Sequence, residues 1–309
     1  MASSRRLSIT VVCAALVIVG ASGAVAVRRA DEGRPGLVAV RVPAPTKSPT
    51  ATPTASPKPT PSPSRPTATV APMAEENRLV VQNRLYKVGR LPASRCKEPT
   101  IRPTSLAKVR AYYTQALGCL NKAWAPAIRK AGYQFWAPQL QVYSGKSSTS
   151  PCALISTAVY CNGVIYMDGN YDIKNYRDSD PMWARATMAF LIAHEYGHHV
   201  QAMAGILVAS DAREGYMNGS AAQLTESRRR ELQASCLSGV YLGADKQFFP
   251  GRGSFLDRWK WTVRNRGDQW NPTRTHGNKT NHGRWSLRGF EAANPSACNT
   301  FTAKPATVS

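Results

Sequence analysis

A proline-rich segment near the amino terminus limits how much of this 309-residue chain can fold into a core. Between Pro43 and Pro72 the chain has ten prolines and neither an acidic nor an aromatic residue. Proline fixes its backbone φ angle and removes a hydrogen-bond donor, so an extended, semi-rigid stalk is predicted, with many Thr and Ser residues available for O-glycosylation. We therefore place a disordered stalk at residues 31–74 and one globular domain at residues 75–309.

The first thirty residues have the pattern of an export signal. Two arginines precede an uncharged run from Leu7 to Val27, which ends in small residues. The sequence AVA at 24–26 fits a cleavage site, whereas an uncharged run of this length is also long enough to span a bilayer. We predict that residues 1–30 form a single-pass membrane anchor that holds the domain at the cell surface. Secretion after signal cleavage is the alternative.

Six cysteines follow this segment, and an even number after an export signal predicts disulfide bonds. They are Cys96, Cys119, Cys152, Cys161, Cys236 and Cys298. Six cysteines allow fifteen pairings, and the sequence does not choose among them. Cys152 and Cys161 bracket a short segment and could close a hairpin, and a bond from Cys236 to Cys298 could hold the C-terminal segment.

Hydrophobic periodicity predicts helices and a few strands in the globular part. A long amphipathic helix begins at Leu106, and Pro126 is expected to kink or end it. Apolar runs at 140–143 and 163–167 have the pattern of strands. Three further helices are predicted from 181 past 201, over 223–242 and over 255–264. Strands set among segregated helices predict the α+β class, mostly helical with a small sheet.

The strongest motif is HEYGH at 194–198, which fits the pattern HExxH. Residues four apart lie on the same face of a helix, so His194 and His198 can bind one Zn²⁺ together. Glu195 would lie beside the metal, where it can take a proton from the attacking water. The flanking residues are uncharged, as in a helix that crosses a core. The alternative is a helix with two satisfied core histidines, which would have to bury Glu195 without a partner.

A zinc site of this kind needs a third protein ligand, and no histidine stands six residues beyond His198. The best candidate is Glu231, on the next predicted helix, which would complete a His₂Glu set. Its alternative role is that of a surface glutamate paired with an arginine of the run 228–230. The need for a third ligand favours the metal site.

Three segments now identify a resemblance: IAHEYGHHVQ at 192–201, RRELQASCLSGVY at 229–241 and THGNKTNHGRWSLRGFEAANPSACNTF at 275–301. The cysteine-bracketed stretch at 150–168 adds to it. The chain resembles the bacterial neutral zinc metallopeptidase family, which has a zincin-like fold.

The resemblance implies that Zn²⁺ is bound by His194, His198 and Glu231, with Glu195 as the catalytic base. It also implies hydrolysis of peptide or protein substrates, with the substrate extended beside the strand at 163–167. The family's usual ELQADC stands here as ELQASC, so Ser235 replaces an aspartate that would orient a ligand histidine. A loss of that orienting charge would reduce turnover.

His276 is the remaining candidate for the catalytic site, because an imidazole near the zinc could stabilise the oxyanion. It could equally be a surface histidine in a polar loop. A second hypothesis for the whole domain is a catalytically weak or silent protein. Such a protein would use the net charge of +22 to bind an anionic cell-wall polymer. Specific nucleic-acid binding ranks last, because the chain has no recognition motif for it.

Overall fold

The computed structural model describes residues 73–145, 152, 156–249, 251–271 and 274–309. The predicted segment at 1–30, and all but the last two residues of the predicted stalk at 31–74, lie outside these ranges. As domain assignments, with an export signal followed by a stalk, both therefore stay predictions.

The prediction of a single-pass membrane anchor is corrected by the structure. A helix that crosses a bilayer needs about 20 consecutive apolar residues. Within the described ranges no helix is both long enough and apolar enough to do so. The uncharged run from Leu7 to Val27, on which the prediction rested, lies outside those ranges.

The described residues form mainly helices around one small sheet, as the α+β prediction required. The helices are α1 (Ala74–Val81), α2 (Leu106–Lys130), α3 (Gly169–Asp178), α4 (Pro181–Met203), α5 (Ile206–Tyr216), α6 (Ser220–Ala244), α7 (Gly253–Asn265) and α8 (Lys279–Ala292). The strands are β1 (Gln139–Tyr143), β2 (Ala158–Cys161) and β3 (Val164–Asp168). The three helices predicted beyond residue 180 correspond to α4, α6 and α7.

Helix α2 does not end at Pro126, as one of the two expectations had it, because the proline lies inside the helix. Ser105 caps the start of the helix, and its side chain accepts a hydrogen bond from the backbone N–H of Lys108. Beyond the proline, Ala127 and Ile128 are buried in the core. Tertiary packing of this last turn outweighs a helix penalty of about 3 kcal/mol for an interior proline.

The sheet has the order β1-β3-β2, with β3 parallel to β1 and antiparallel to β2. The turn between β2 and β3 is Asn162-Gly163, and both residues have positive φ, as a two-residue hairpin turn of the primed type requires. The bond between Cys152 and Cys161 therefore closes the segment before β2, whereas the hairpin itself turns after Cys161.

Two helices cross the core in contact with each other and carry the predicted site. Asp180 caps α4, accepting hydrogen bonds from the backbone N–H groups of Met182 and Trp183. A side chain at Gly197 would place its Cβ 2.7 Å from the carbonyl oxygen of Ala234 on α6. Only glycine allows this approach, which brings the motif on α4 against the α6 turn that carries Glu231.

Helix α8 packs against α6 at a similarly short distance. A Cβ at Gly239 would lie 2.1 Å from the carbonyl oxygen of Ser286. The disulfide between Cys236 and Cys298 joins α6 to the segment after α8, as the sequence allowed, and the third bond joins Cys96 to Cys119.

We expect Asp172→Asn to change how the stability of the fold depends on pH. Asp172 on α3 is buried and accepts a 2.7 Å hydrogen bond from the Tyr113 hydroxyl. Burial raises the pKa of this carboxyl from 3.8 to about 7, although the hydrogen bond opposes the shift. The folded protein therefore holds a proton that the unfolded chain has lost, and stability falls as pH rises between these values.

Urea denaturation measures the free energy of unfolding at each pH. Between pH 5 and 7 this free energy should fall more steeply with pH in wild type than in Asp172→Asn, by up to about 1.4 kcal/mol per pH unit. Asp257→Asn, on an exposed position of α7, is the control and should keep the wild-type slope. Equal slopes for wild type and Asp172→Asn would contradict the prediction.

Candidate metal centre

Three predicted ligands meet at one point between α4 and α6. The Nε2 atoms of His194 and His198 lie 3.3 Å and 3.2 Å from the same carboxylate oxygen, Oε2 of Glu231. One ligand atom from each residue lies within 4.8 Å of the other two, so the cluster could hold a metal ion. Both imidazoles are buried, and the Glu231 side chain is 17% exposed.

The dimensions of this cluster fit zinc. Tetrahedral Zn²⁺ with ligands at about 2.0 to 2.2 Å has neighbouring ligand atoms about 3.3 Å apart. The two nitrogen-to-oxygen distances match this spacing. Two imidazoles and one carboxylate also form a donor set that catalytic zinc uses, with a fourth position left for water or substrate.

Glu231 does not pair with the arginines that precede it. Arg228 donates to the carbonyl oxygen of Arg274, Arg229 to that of Ala303, and Arg230 to the carboxylate of Glu214. Since these side chains are engaged elsewhere, Glu231 faces the two histidines of α4. The alternative role as a paired surface glutamate does not describe this residue.

The electrostatics of the cluster keep Glu231 ionised. Burial works to raise the pKa of this carboxyl, but His198 and His276 outweigh burial and hold the pKa well below its usual range. For His198 the balance is reversed: burial would lower the pKa, yet Glu231 raises it to about 9. The centre is thus a buried carboxylate surrounded by nitrogen ligands, and the ionised carboxylate is the form that binds a cation.

A chain of buried amides supports His198. Its Nδ1 lies 2.9 Å from Oε1 of Gln201, whose Nε2 donates to Oε1 of Gln233 at 3.1 Å. Gln233 in turn donates to the carbonyl oxygen of Cys298. Each amide thus has its oxygen toward the metal centre, so Nδ1 of His198 donates its proton to Gln201, and Nε2 is the atom that would bind a metal.

Sequence reasoning missed both glutamines. Gln201 stands three residues after His198, a spacing at which helical side chains meet, and this was the available signal.

His194 has a different support. Its Nδ1 lies 3.0 Å from Oγ of Ser235, the residue that stands where the family pattern has aspartate. The same hydroxyl lies 3.0 Å from Nε2 of His282 on α8. Ser235 and His282 are almost completely buried. The role of His282 as a partner of Ser235 was not predicted, because it depends on the contact between α6 and α8.

The cluster opens into a cleft of about 780 Å³, and Glu195 lies on its wall beside the two histidines. Residues 156–162, which include β2, also line this cleft. Here the structure corrects an expectation, because β3 at 164–168 is paired on both sides and has no free edge for a substrate. Among the described residues β2 pairs only with β3, so β2 is the strand that borders the cleft.

His276 lies at the mouth of the centre, with its side chain 52% exposed. Its Nε2 is 3.3 Å from Oε2 of Glu231, and this carboxylate raises the pKa of the imidazole. On the other side of the ring, Nδ1 is 3.5 Å from Oδ2 of Asp268, which also accepts a hydrogen bond from the His276 backbone N–H. Asp268 was not predicted, and it holds the loop that carries His276.

Comparisons with known proteins agree with this centre. The sequence model of a family described as "Putative neutral zinc metallopeptidase" matches residues 92–249, which contain His194, Glu195, His198 and Glu231. The segment at 275–301, which also contributed to the resemblance, lies beyond that range.

Two relatives named as uncharacterised proteins are similar to more than half of the chain. The protein YpfJ of Escherichia coli is 30% identical in an alignment 202 residues long that covers 60% of this chain and 69% of YpfJ. The protein Rv2575 of Mycobacterium tuberculosis is 26% identical in an alignment 216 residues long that covers 60% of this chain and 68% of that protein. No solved structure matches the chain.

We expect Gln201→Leu to weaken zinc binding about 10 to 100-fold, the usual cost of losing the partner of a ligand histidine. Leucine fills the buried space but leaves Nδ1 of His198 without an acceptor. Competition with a chromophoric chelator measures the affinity.

The matched control is Gln223→Leu, because the side-chain amide of Gln223 donates to the backbone carbonyls of Glu214 and Met217 and not to a group of the metal centre in the described part of the chain. Its affinity should equal that of wild type. If Gln201→Leu also bound zinc as tightly as wild type, the proposed support of His198 would be wrong.

Proposed function

Because the chain belongs to the neutral zinc metallopeptidase family, we propose that it is a zinc-dependent enzyme that hydrolyses peptide bonds in the cleft beside α4. The observation that carries the proposal is the convergence of His194 and His198 on one oxygen of Glu231, at 3.3 and 3.2 Å. Glu195 on the wall of the same cleft adds the base that hydrolysis requires.

His194, His198 and Glu231 would hold the metal. Zinc, when bound, supplies Lewis-acid chemistry: it lowers the pKa of a water molecule to about 7 and polarises the scissile carbonyl. Glu195 takes a proton from the attacking water and delivers it to the leaving amine nitrogen. Its carboxylate suits this role because it lies one residue from a ligand and faces the cleft, where the reacting atoms would be.

His276 donates a hydrogen bond to the oxyanion in this proposal. Asp268 holds Nδ1 of the His276 ring, and Nε2 is the nitrogen that lies toward Glu231. When the imidazole is charged, Nε2 therefore carries a proton toward the cleft. The carboxylates on both sides favour that charged form.

A peptide substrate would lie along β2 as an additional strand. Residues of β2 line the same cleft as Glu195 and the ligand histidines, and among the described residues β2 pairs only with β3, so its other edge can accept a strand. His199 holds this strand in place, since its Nδ1 lies 3.2 Å from the Tyr160 hydroxyl of β2 and its Nε2 lies 2.8 Å from the carbonyl oxygen of Trp136.

Glu195→Gln should abolish most hydrolysis and leave the zinc content at one equivalent. Removing a general base typically costs about 10² to 10⁴-fold in rate, and the amide cannot accept the proton of the water. Cleavage of labelled casein by the zinc-loaded protein, with and without chelator, measures the effect. Glu291→Gln, an exposed change on α8, serves as the control.

Full activity of Glu195→Gln would refute the assignment of the base. A wild-type protein that binds zinc but cleaves no peptide would favour the second hypothesis, a silent domain that binds an anionic wall polymer through its basic surface.

His276→Phe should lower kcat about 10² to 10³-fold, the usual cost of one oxyanion donor, with little change in KM or zinc affinity. His276→Gln retains an N–H donor and should recover part of the loss, whereas Asp268→Asn should lower kcat by less than His276→Phe. Steady-state kinetics and chelator competition measure the two effects. A loss of zinc from His276→Phe would instead make His276 a fourth ligand.

A further inference from the structure

We propose that His282 and Ser235 form a hydrogen-bond relay that fixes the tautomer of His194, so that its Nε2 lone pair points at the metal position. The relay rests on the proposed zinc site, but it makes His282 a positioning residue that no comparison assigns. Its direction follows from the donor and acceptor capacity of each group, beginning at a backbone carbonyl.

The relay starts at Val263, in the last turn of α7, where carbonyl groups lack a donor within the helix. Nδ1 of His282 lies 2.7 Å from the carbonyl oxygen of Val263. A carbonyl oxygen can only accept a hydrogen bond, so the proton must be on Nδ1 of His282.

His282 carries only that one proton. The side chain is 4% exposed and packs against the ring of Phe190, with a centroid distance of 5.4 Å. Burial lowers the pKa of this imidazole to about 3, and the nearby His194, Arg266 and His276 act in the same direction. A neutral imidazole with its proton on Nδ1 has a lone pair on Nε2, so Nε2 must accept.

The hydroxyl of Ser235 is the only group bonded to that lone pair among the described contacts, at 3.0 Å. Ser235 therefore donates its single proton to His282 and can only accept from Nδ1 of His194, also at 3.0 Å. His194 then has its proton on Nδ1 and its lone pair on Nε2, the atom that lies 3.3 Å from Oε2 of Glu231. This is the tautomer that binds a metal through Nε2.

The relay also explains why serine is suited to this position. An aspartate at 235 would only accept, so it would need a proton from both imidazoles. His282 already gives its Nδ1 proton to Val263, and it would have to become a buried imidazolium to supply a second. Serine both donates and accepts, and so it matches a neutral His282.

The direct test is the protonation state of His282, measured by ¹⁵N NMR of the histidine side chains at pH 7. In wild type, with and without zinc, we expect His282 neutral with its proton on Nδ1. In Ser235→Asp it should become doubly protonated. A proton on Nε2 of His282 in wild type, or a His282 that stays singly protonated in Ser235→Asp, would overturn the relay.

Zinc affinity gives the second measurement, by chelator competition. Ser235→Ala and His282→Phe should each bind zinc about 10 to 100-fold more weakly than wild type. His282→Gln should recover much of the loss, because its amide oxygen can accept from Ser235. Ser238→Ala is the matched control: this serine is buried one turn along α6 and donates to the backbone oxygen of Ser235.

The relay would be contradicted if Ser235→Ala bound zinc as tightly as wild type. It would also be contradicted if His282→Gln bound zinc as weakly as His282→Phe. If His282→Phe fails to fold, the zinc affinity of Ser235→Ala and the protonation state of His282 measured by NMR still test the relay. Neither measurement uses peptide cleavage, so a failed relay and a failed peptidase assignment give different results.

Discussion

The close contact between α4 and α6 is the constraint on which the metal centre depends. A methyl group at Gly197 would collide with the backbone of Ala234, so any larger residue would push the helices apart. Glu231 reaches both histidines of α4 with one oxygen, at distances that suit a tetrahedral ion, and a shift of an ångström would break that match. Helix packing thus sets the coordination geometry.

A second requirement is that Nδ1 of each ligand imidazole has a hydrogen-bond partner. His198 connects through two glutamine amides to the carbonyl oxygen of Cys298, and His194 connects through Ser235 and His282 to that of Val263. Each series of hydrogen bonds ends on a backbone carbonyl oxygen, which can only accept. The donor and acceptor roles along both series are therefore fixed. Buried polar groups without partners cost free energy, whereas complete networks hold ligands in one orientation. The two imidazoles are therefore prepared for a metal before it arrives.

Sequence patterns predicted the elements of this fold that depend on local spacing and failed where tertiary packing decides. The helix with the HExxH motif was predictable because its spacing and uncharged flanks depend only on local periodicity. The expectation that Pro126 could end α2 was wrong, because core packing of Ile128 outweighs a local penalty. The strand beside the cleft was assigned to β3 instead of β2, since strand order is not a local property. The membrane anchor found no support in the described helices.

The sequence by itself determined that His194 and His198 share one helix face beside Glu195, and it made Glu231 the candidate third ligand, because ligand type and helical spacing are local. It also determined that six cysteines follow the predicted export signal. The tertiary structure alone decided that Glu231 faces the histidines instead of the arginines, that Asp268 stands behind His276, and that Ser235 meets His282. The physical reason is that these contacts join residues far apart in sequence, whose approach is set by how α6 packs on α4 and α8.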